Sequence, residues 1–351
     1  MKKSICFFLG WAALFVCSPL YAAPTGYCTA DGGTHISELT INSTIAARDN
    51  VTGHVASTTV DNGNLYQGTC YCVTDRNGQW HNDNYTAVIN PSLIESAKRG
   101  NVQYYQLDEF LDVGISIEIY GTGLVNAPFE DVINHPNGVS TCTNGIKTSK
   151  FDSGSKGIIY FYVTQPFTGK TAIPRTLISH LYSTINPEYP LTEPLADIYI
   201  SGYVEATQEC EINGGQIITV NFDKIPATEF SSTRGGAITS RRIEVPVTVS
   251  CTGMARGQGV QAEMQANPVA GDPSMIQTDN PDVGIKIYTN DQGKELGNVN
   301  GGKMPAAMGN PVLGRESGSL SFWAAPASAT GTKPEPGAFN AQAILVLEVT
   351  N

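Results

Sequence analysis

Short stretches in which apolar and polar residues alternate recur along almost the whole chain. They lie at 35–45, 114–119, 157–163 (GIIYFYV), 198–204 (IYISGYV), 217–222 (IITVNF), 243–251 (IEVPVTVSC) and 284–288. A period of two residues gives an extended segment one side that faces a core. Asp-Gly, Asn-Gly and Gly-Gly pairs separate many of these stretches, as in hairpin turns. The pattern therefore predicts an all-β protein.

A few segments depart from this alternation. Asn90 and Pro91 precede SLIESAKR and Gly100, an order typical of a helix cap, a first turn and a stop. We predict one helix there. The stretch PRTLISHLYS at 174–183 fits either a second short helix or a bent strand, and QYYQ at 103–106 is interpreted as a half-buried strand with one tyrosine inward.

The last segment, residues 336–351, has apolar side chains at every second position. These are Phe339, Ala341, Ala343, Leu345, Leu347 and Val349. A terminal segment frays unless it is tied down, so a strand with this pattern needs a neighbour.

The chain begins with the features of a secretory signal. Lys2 and Lys3 form a basic start, Ile5 to Val16 is largely apolar, and Ala22 ends a cleavage-like site. The apolar run is too short to span a membrane. We therefore expect a signal peptide at 1–22 and an exported protein.

A proline-rich stretch, INPEYPLTEPLAD at 185–197, is interpreted as a linker. It divides the exported part into a first domain at 23–190, a linker at 191–197 and a second domain at 198–351. The length after the signal also suits two domains.

Six cysteines remain beyond the signal: Cys28, Cys70, Cys72, Cys142, Cys210 and Cys251. An even number in an exported chain indicates three disulfides. Cys210 and Cys251 are left to pair in the second domain. In the first domain we expect Cys28 to join Cys70 or Cys72, and the other of these to join Cys142. A zinc site at Cys70-Tyr71-Cys72 is the alternative, which the single intervening residue disfavours.

Composition narrows the class of function. A net charge of −11 argues against a nucleic-acid partner, which needs clusters of Lys and Arg. The five histidines show no H-x-H or H-E-x-x-H spacing, so we expect no metal and no cofactor, and a site assembled from distant loops stays as an alternative.

An enzyme is the alternative of another class, specifically a secreted glycan-acting enzyme. Glu188 or Asp75 with Glu193 would form its carboxylate pair. Ser179 and His180 are adjacent, but neighbours on a strand point to opposite faces. No nucleophile motif such as G-x-S-x-G occurs. We therefore predict that the chain is not an enzyme.

Four motifs of the second half occur in the order found in pilin domains of chaperone–usher fimbriae. They are CEING at 210–214, the apolar strand from Ile217 to Ile225, VPVTVSC at 245–251, and Gly337 followed by the alternating terminal strand. Residues 196–351 thus resemble that family. Two positions depart from it: Asp223 replaces a usual glycine, and Thr350 replaces an aromatic residue near the terminus, which puts chaperone docking there in doubt.

The resemblance implies an immunoglobulin-like sandwich that lacks its final strand. The terminal strand would then border an open groove, lined by Gly337, Phe339, Ala341, Ala343, Leu345, Leu347 and Val349. A periplasmic chaperone would fill this groove first, and the N-terminal extension of the next fimbrial subunit would replace it at the outer-membrane usher. A complete sandwich with an ordinary last strand is the alternative.

The first half occupies the place where a polymerising subunit carries its donor segment. The resemblance therefore implies a two-domain tip adhesin of a Gram-negative bacterium, exported through the periplasm to the fimbrial tip on the cell surface. Its N-terminal domain would be an immunoglobulin-like or jelly-roll-type sandwich that binds a host-surface glycan or glycoprotein. A non-adhesive tip or adaptor subunit shares every assembly feature and is the alternative.

The polar stretch at 74–85 is the first candidate for the ligand site. Its candidate residues are Asp75, Arg76, Asn77, Trp80, His81, Asn82, Asn84 and Tyr85. Sugars are bound by an aromatic plane together with amides and carboxylates. The alternative is a hairpin turn at Asn77-Gly78 with Trp80 in the core. The stretch Asn134 to Gly138 is a second candidate, for which a tight turn is the favoured interpretation.

Overall fold

A computed structural model describes residues 26–72, 83–134, 142–185, 190–312 and 314–350. The regular structure of this part of the chain consists of β-strands and short 3-10 turns, which confirms the prediction of an all-β protein. The predicted signal peptide lies outside the described residues. Within them, no helix is long and apolar enough to cross a membrane.

Among the described residues, fourteen strands form the first domain. They are β1 (Tyr27–Ala30), β2 (His35–Ile45), β3 (Val55–Asp61), β4 (Tyr66–Tyr71), β5 (Asn84–Ile89), β6 (Glu95–Arg99), β7 (Val102–Gln106), β8 (Leu111–Ile119), β9 (Gly123–Asn126), β10 (Phe129–Ile133), β11 (Ile146–Phe151), β12 (Lys156–Val163), β13 (Gly169–Thr184) and β14 (Ala196–Ala206). A 3-10 turn lies at Ala47–Asp49.

In the described part of the second domain there are ten strands. They are β15 (Glu209–Ile212), β16 (Ile243–Thr252), β17 (Gly259–Ala266), β18 (Pro268–Val269), β19 (Asp272–Gln277), β20 (Val283–Tyr288), β21 (Gly302–Pro305), β22 (Ala307–Met308), β23 (Arg315–Ser328) and β24 (Ala343–Thr350). Further 3-10 turns lie at Asn213–Gly215, Ala227–Glu229 and Thr239–Arg241.

The first domain has two sheets. One has the order β10-β5-β13-β1-β4-β11, with β14 pairing with β13 and with β2. The other has the order β3-β12-β8-β7-β6, with β9 on β8. The core draws side chains from both sheets, including Leu39, Ile41, Ile115, Ile117, Phe161, Ile198 and Ile200. Alternation along each strand supplies these inward positions.

Strand β14, which begins at the predicted domain boundary, pairs with strands of the first domain. It pairs antiparallel with β13 and parallel with β2 over its whole length. Ile198 and Ile200, which we assigned to the second domain, are fully buried in the core of the first. The predicted linker at 191–197 therefore runs into the first sheet, and Thr207 and Gln208 connect β14 to β15.

The predicted helix after Asn90 is wrong, because residues 95–99 form the strand β6 at an edge of the second sheet. Asn90 begins a turn: its Oδ1 accepts a hydrogen bond from the Ser92 N–H, and its Nδ2 donates to Leu177 O at 2.9 Å. Pairing with β7 overrides the local helix signals, which are weak in tertiary context.

Two ambiguous segments of the sequence are settled as strands. Residues 174–183 lie within β13, where shifts of register between Ile173 and Thr176 and between Leu177 and Ser179 bend the strand. Residues 103–106 lie in β7, but Tyr104 and Tyr105 are both buried, whereas we expected only one inward tyrosine.

The second domain is a sandwich of a large and a small sheet. The large sheet has the order β15-β16-β23-β20-β19-β18, with β22 on β23, and the small one has the order β21-β17-β24. The predicted strand at 217–222 is absent: within the described residues this segment has no hydrogen-bonded neighbour strand.

The described residues contain three disulfides, two within the first domain and one within the second. Cys28 pairs with Cys70, Cys72 with Cys142, and Cys210 with Cys251. The sequence predicted the last pair and left two arrangements open for the others. The structure selects one of these, because Cys28 and Cys70 lie opposite each other on the neighbouring strands β1 and β4.

The buried side-chain amide of Asn50 connects the two domains. Asn50 is fully buried, and its Nδ2 donates to Phe167 O at 2.6 Å in the first domain and to Gly253 O at 3.0 Å in the second. Its Oδ1 accepts from the Phe167 N–H at 3.3 Å. Gly253 has φ +73°, and a Cβ there would lie 2.7 Å from Thr207 O, so the close approach requires glycine.

We expect Asn50→Ala to lower the stability of the mature protein by about 1–3 kcal/mol, because it leaves buried main-chain groups without partners on both sides of the joint. Differential scanning calorimetry measures this as a lower melting temperature. Asn42→Ala, on the exposed side of β2, is the matched control. Equal melting temperatures for the two variants would contradict a role for Asn50 in the joint.

Candidate functional site

The second domain has a long apolar groove beside its last strand. β24 pairs antiparallel with β17 from Ala343–Ala266 to Thr350–Gly259. At its other edge, no strand of the described chain pairs with it. The groove along this edge has a volume of about 1110 Å³. The unpaired main chain of β24 thus borders a cavity with the length of a strand.

Side chains from both sheets line the groove. They include Ile212, Ile218, Val220, Phe222, Met264, Ile276, Ile287, Phe322, Phe339, Ala341, Ala343, Leu345, Leu347 and Val349. Most of them pack against the core of the second domain. The groove is therefore an opening into that core and not a surface depression, so it presents apolar side chains that a complete sandwich would cover.

The segment 217–222 forms the wall opposite β24. All of these residues except Asn221 line the groove; Ile218, Val220 and Phe222 pack against the core of the second domain, whereas Ile217 is 94% exposed. This alternation is the one that predicted a strand. In the described chain no strand pairs with residues 217–222, and the groove lies where such a strand would be. Two walls with alternating side chains and an unpaired edge suit the addition of one extended chain.

Six of the seven predicted groove residues line this groove: Phe339, Ala341, Ala343, Leu345, Leu347 and Val349. Gly337 does not, and no atom lies within 4 Å of the place where its Cβ would be. The sequence analysis missed the opposite wall, although the alternation at 217–222 was its signal.

A polar clamp holds the beginning of the terminal segment against the groove. The Asn340 N–H and Nδ2 donate to the two carboxylate oxygens of Asp279 at 2.6 and 2.9 Å, and the Asp279 N–H donates to Asn340 O. These bonds, first that of the Asn340 side chain, lower the pKa of Asp279. The clamp therefore forms at every pH above the ordinary pKa of an aspartate. It is lost only when the pH falls through the lowered pKa of Asp279 and the carboxylate is protonated. Beside it, Phe339 stacks on Phe222.

In the first domain, the strand ends that flank the candidate ligand loops lie together. Cys72, before residues 73–82, is bonded to Cys142, after residues 135–141. Asp83 and Asn134 are at the other ends of the same two segments, and the Asn134 N–H donates to Asp83 O at 3.0 Å. The two sequence candidates, 74–85 and 134–138, are therefore anchored at the same end of the strands of the first sheet.

This end of the first sheet is far from the second domain. Thr184 at the end of β13 pairs with Asn84 and Tyr27 there. Gly169, at the beginning of β13, pairs with Ala206, the residue where the chain leaves for the second domain. The 16 residues of β13 span about 50 Å at 3.3 Å each. We call the Thr184 end of the first domain its distal pole.

Two predicted ligand residues are wrong, because they lie inside the fold. Tyr85 is 1% exposed and Asn84 is 6% exposed, both in β5 between β13 and β10. Burial raises the pKa of Tyr85 well above its ordinary value. The other predicted ligand residues, Asp75, Arg76, Asn77, Trp80, His81 and Asn82, lie outside the described residues.

The geometry gives no support to the catalytic or metal alternatives. His180 Nδ1 contacts Asp197 Oδ1 at 2.7 Å, whereas Ser179 Oγ donates to Val88 O at 3.1 Å, so the two do not form a dyad. Among the described residues, the one close group with metal-ligand chemistry is Cys28, Cys70 and Asp83, and its two sulfurs form a disulfide. Disulfides also use both sulfurs of the proposed zinc pair.

Comparison with known proteins gives a consistent result. Residues 198–350 match the family described as Fimbrial protein. Protein LpfD of Salmonella typhimurium is 30% identical, over 99% of this chain and 99% of its own length. The type 1 fimbrin D-mannose specific adhesin of the same organism is 27% identical, over 75% of this chain and 76% of its own. The solved structure of the CupB6 tip adhesin from Pseudomonas aeruginosa is 12% identical, over 92% of this chain and 93% of its own, with a TM-score of 0.41.

We expect Asp279→Ala to release residues 338–342 from the groove while β24 keeps its pairing with β17, because the two clamp bonds to the Asp279 carboxylate are lost and the strand pairing is unchanged. Hydrogen exchange followed by mass spectrometry measures this as faster exchange at 338–342 with unchanged exchange at 343–350. Asp291→Ala, in an exposed turn, is the control. Unchanged exchange at 338–342 would show that the clamp does not hold this segment.

Proposed function

This chain belongs to the two-domain minor fimbrial subunits of the chaperone–usher type, with the fimbrial domain at its carboxyl end, and on that premise we propose that it is the adhesive tip of its fimbria. Members of this family are fimbrial subunits and not enzymes, as the sequence predicted. The proposal has two parts: how the second domain joins the fimbria, and what the first domain binds.

The second domain accepts a strand from another protein. The observation that carries this part is the groove, whose apolar lining continues into the core and whose edge at β24 lacks a partner in the described chain. Within this family the occupants are a strand of the periplasmic chaperone and then the N-terminal extension of the next subunit, exchanged at the outer-membrane usher. Each would bury apolar side chains and complete the main-chain hydrogen bonds.

The segment that precedes the second domain, β14, supports a position at the tip. β14 leads directly into β15, and β14 is hydrogen-bonded along both edges by β13 and β2. A segment paired in this way is not free to fill the groove of another subunit. The second domain can therefore accept a strand, while the segment before it cannot donate one, which supports a position at the end of a fibre.

The first domain presents its distal pole about 50 Å from the joint, where a fimbrial tip meets a host surface. We propose that this pole binds a host glycan or glycoprotein, with Asp75, Arg76, Asn77, Trp80, His81 and Asn82 as the contacting residues. Because one relative carries the name D-mannose specific adhesin, hexoses are the first ligands to test. The second candidate function, a non-adhesive tip subunit, has the same groove and differs only at this pole.

Leu347→Lys should prevent capture of the subunit by its chaperone, because it places a charge among the apolar side chains of the groove. Val346→Lys is the matched control: it lies on the other face of β24, is 40% exposed, and is opposite Glu263. Co-purification from the periplasm with the tagged chaperone measures the difference. Equal recovery of both variants would argue against the groove as the docking site.

Trp80→Ala should abolish glycan binding and leave the melting temperature unchanged. The mature protein in complex with its chaperone is applied to a glycan array, with Val55→Ala, at an exposed residue of the first domain near the joint, as the control. A loss of several kcal/mol in stability would instead place Trp80 in a core. An array without signal for the unmodified protein would favour the non-adhesive tip subunit.

A further inference from the structure

Three polar side chains are buried together beneath the distal pole. Lys147 on β11, Asp83 before β5 and Asn134 after β10 are each at most 5% exposed. Lys147 Nζ lies 2.6 Å from Asp83 Oδ1, and Asn134 Nδ2 lies 3.4 Å from Asp83 Oδ2. Neither the groove nor the proposed ligand contacts use this cluster.

The surroundings of the cluster are apolar. The carboxylate of Asp83 lies against the disulfide of Cys28 and Cys70, with Cys70 Sγ 4.0 Å from Oδ1, and the fully buried Tyr85 follows two residues later. Within the described part of the chain, Lys147 Nζ makes a hydrogen bond only to Asp83, although an ammonium has three donors. The amine and the carboxylate are therefore held together, away from water, with the side chain of Asn134 beside them.

The three groups have the arrangement that an amide condensation needs. The amine would be the nucleophile, and the carboxyl carbon of Asp83 lies one bond beyond the oxygen that Nζ contacts at 2.6 Å, so the two reacting groups are already held next to each other. Asn134 Nδ2 points at Oδ2, where negative charge would develop. The Asp83 N–H also donates to Asn134 Oδ1 at 2.8 Å, which fixes the two residues relative to each other.

We propose that Lys147 and Asp83 become joined by an intramolecular isopeptide bond. A proton passes from the Lys147 ammonium to the Asp83 carboxylate, and the free Nζ electron pair attacks the carboxyl carbon. The C–O bond then breaks, and the departing oxygen leaves as water with the transferred proton and a second proton from Nζ. The product is a secondary amide; no oxidant, reductant or other reactant takes part.

The bond would tie two elements that are 64 residues apart in the chain. It would lie beside the disulfides Cys28–Cys70 and Cys72–Cys142, at the pole where we propose that an external surface pulls on the protein. Unlike the disulfides, an amide withstands reduction. This inference concerns residues of the described fold only and holds whether or not the pole binds a glycan.

The test is the intact mass of the mature chain, purified from the periplasm with its chaperone and then denatured, reduced and alkylated. The expected mass is lower than that of the open chain by one water molecule, and tandem mass spectrometry of a digest should find a branched peptide containing Asp83 and Lys147. A mass equal to that of the open chain would overturn the proposal. A mass lower by one ammonia would also overturn it, because the bond would then involve an amide such as that of Asn134.

Two variants separate the roles of the three groups. Lys147→Arg keeps a positive charge beside Asp83 but removes the amine, so its mass should be that of the open chain. Asn134→Ala keeps both reacting groups and should raise the fraction of open chain. If Lys147→Arg fails to fold, the mass of the unmodified protein still decides the question.

Discussion

The unpaired edge of β24 is the constraint on which the rest of the molecule depends. Hydrogen-bonding groups at a sheet edge and apolar side chains in an open core are both unfavourable in isolation. Here they occur together, along one strand length between β24 and residues 217–222. Covering either one with an extended chain covers the other as well. The same feature that makes the second domain incomplete therefore specifies the shape and the chemistry of its partner.

In the first domain, by contrast, the described strands near the joint are paired, so they offer no free segment for strand exchange. β14 is held on both edges, and Asn50 connects the loop after β2 to the turn at Gly253. A force that pulls on the distal pole passes along β13 and β14 to this joint and then into β15 and β16. Cys210–Cys251 ties these last two strands together. From the distal pole to β16 the force is thus carried by paired main chain, and the buried amide of Asn50 lies at the joint between the domains.

Alternation predicted most strands because burial of one face is a local signal. It located β2, β12, β16 and β20 to within a residue or two. It did not identify the neighbour of each strand. Residues 198–204 have the pattern of a strand in either domain, and only pairing with β2 and β13 assigns them to the first. The helix signals near Asn90 and the polar stretch that ends in Tyr85 failed for the same reason: long-range packing decides both, and no local pattern records it.

The groove also changes what stability means for this protein. An occupant that binds the folded second domain and not the unfolded one stabilises it in proportion to the logarithm of its concentration relative to its dissociation constant. The free energy of unfolding of the second domain is therefore a property of the pair and not of the chain. In the first domain, by contrast, both described sheets enclose a continuous core that two disulfides cross-link, so this core needs no occupant to be covered. On the proposed function, one chain thus combines a domain whose core is closed by its own strands with a domain whose core is closed on assembly.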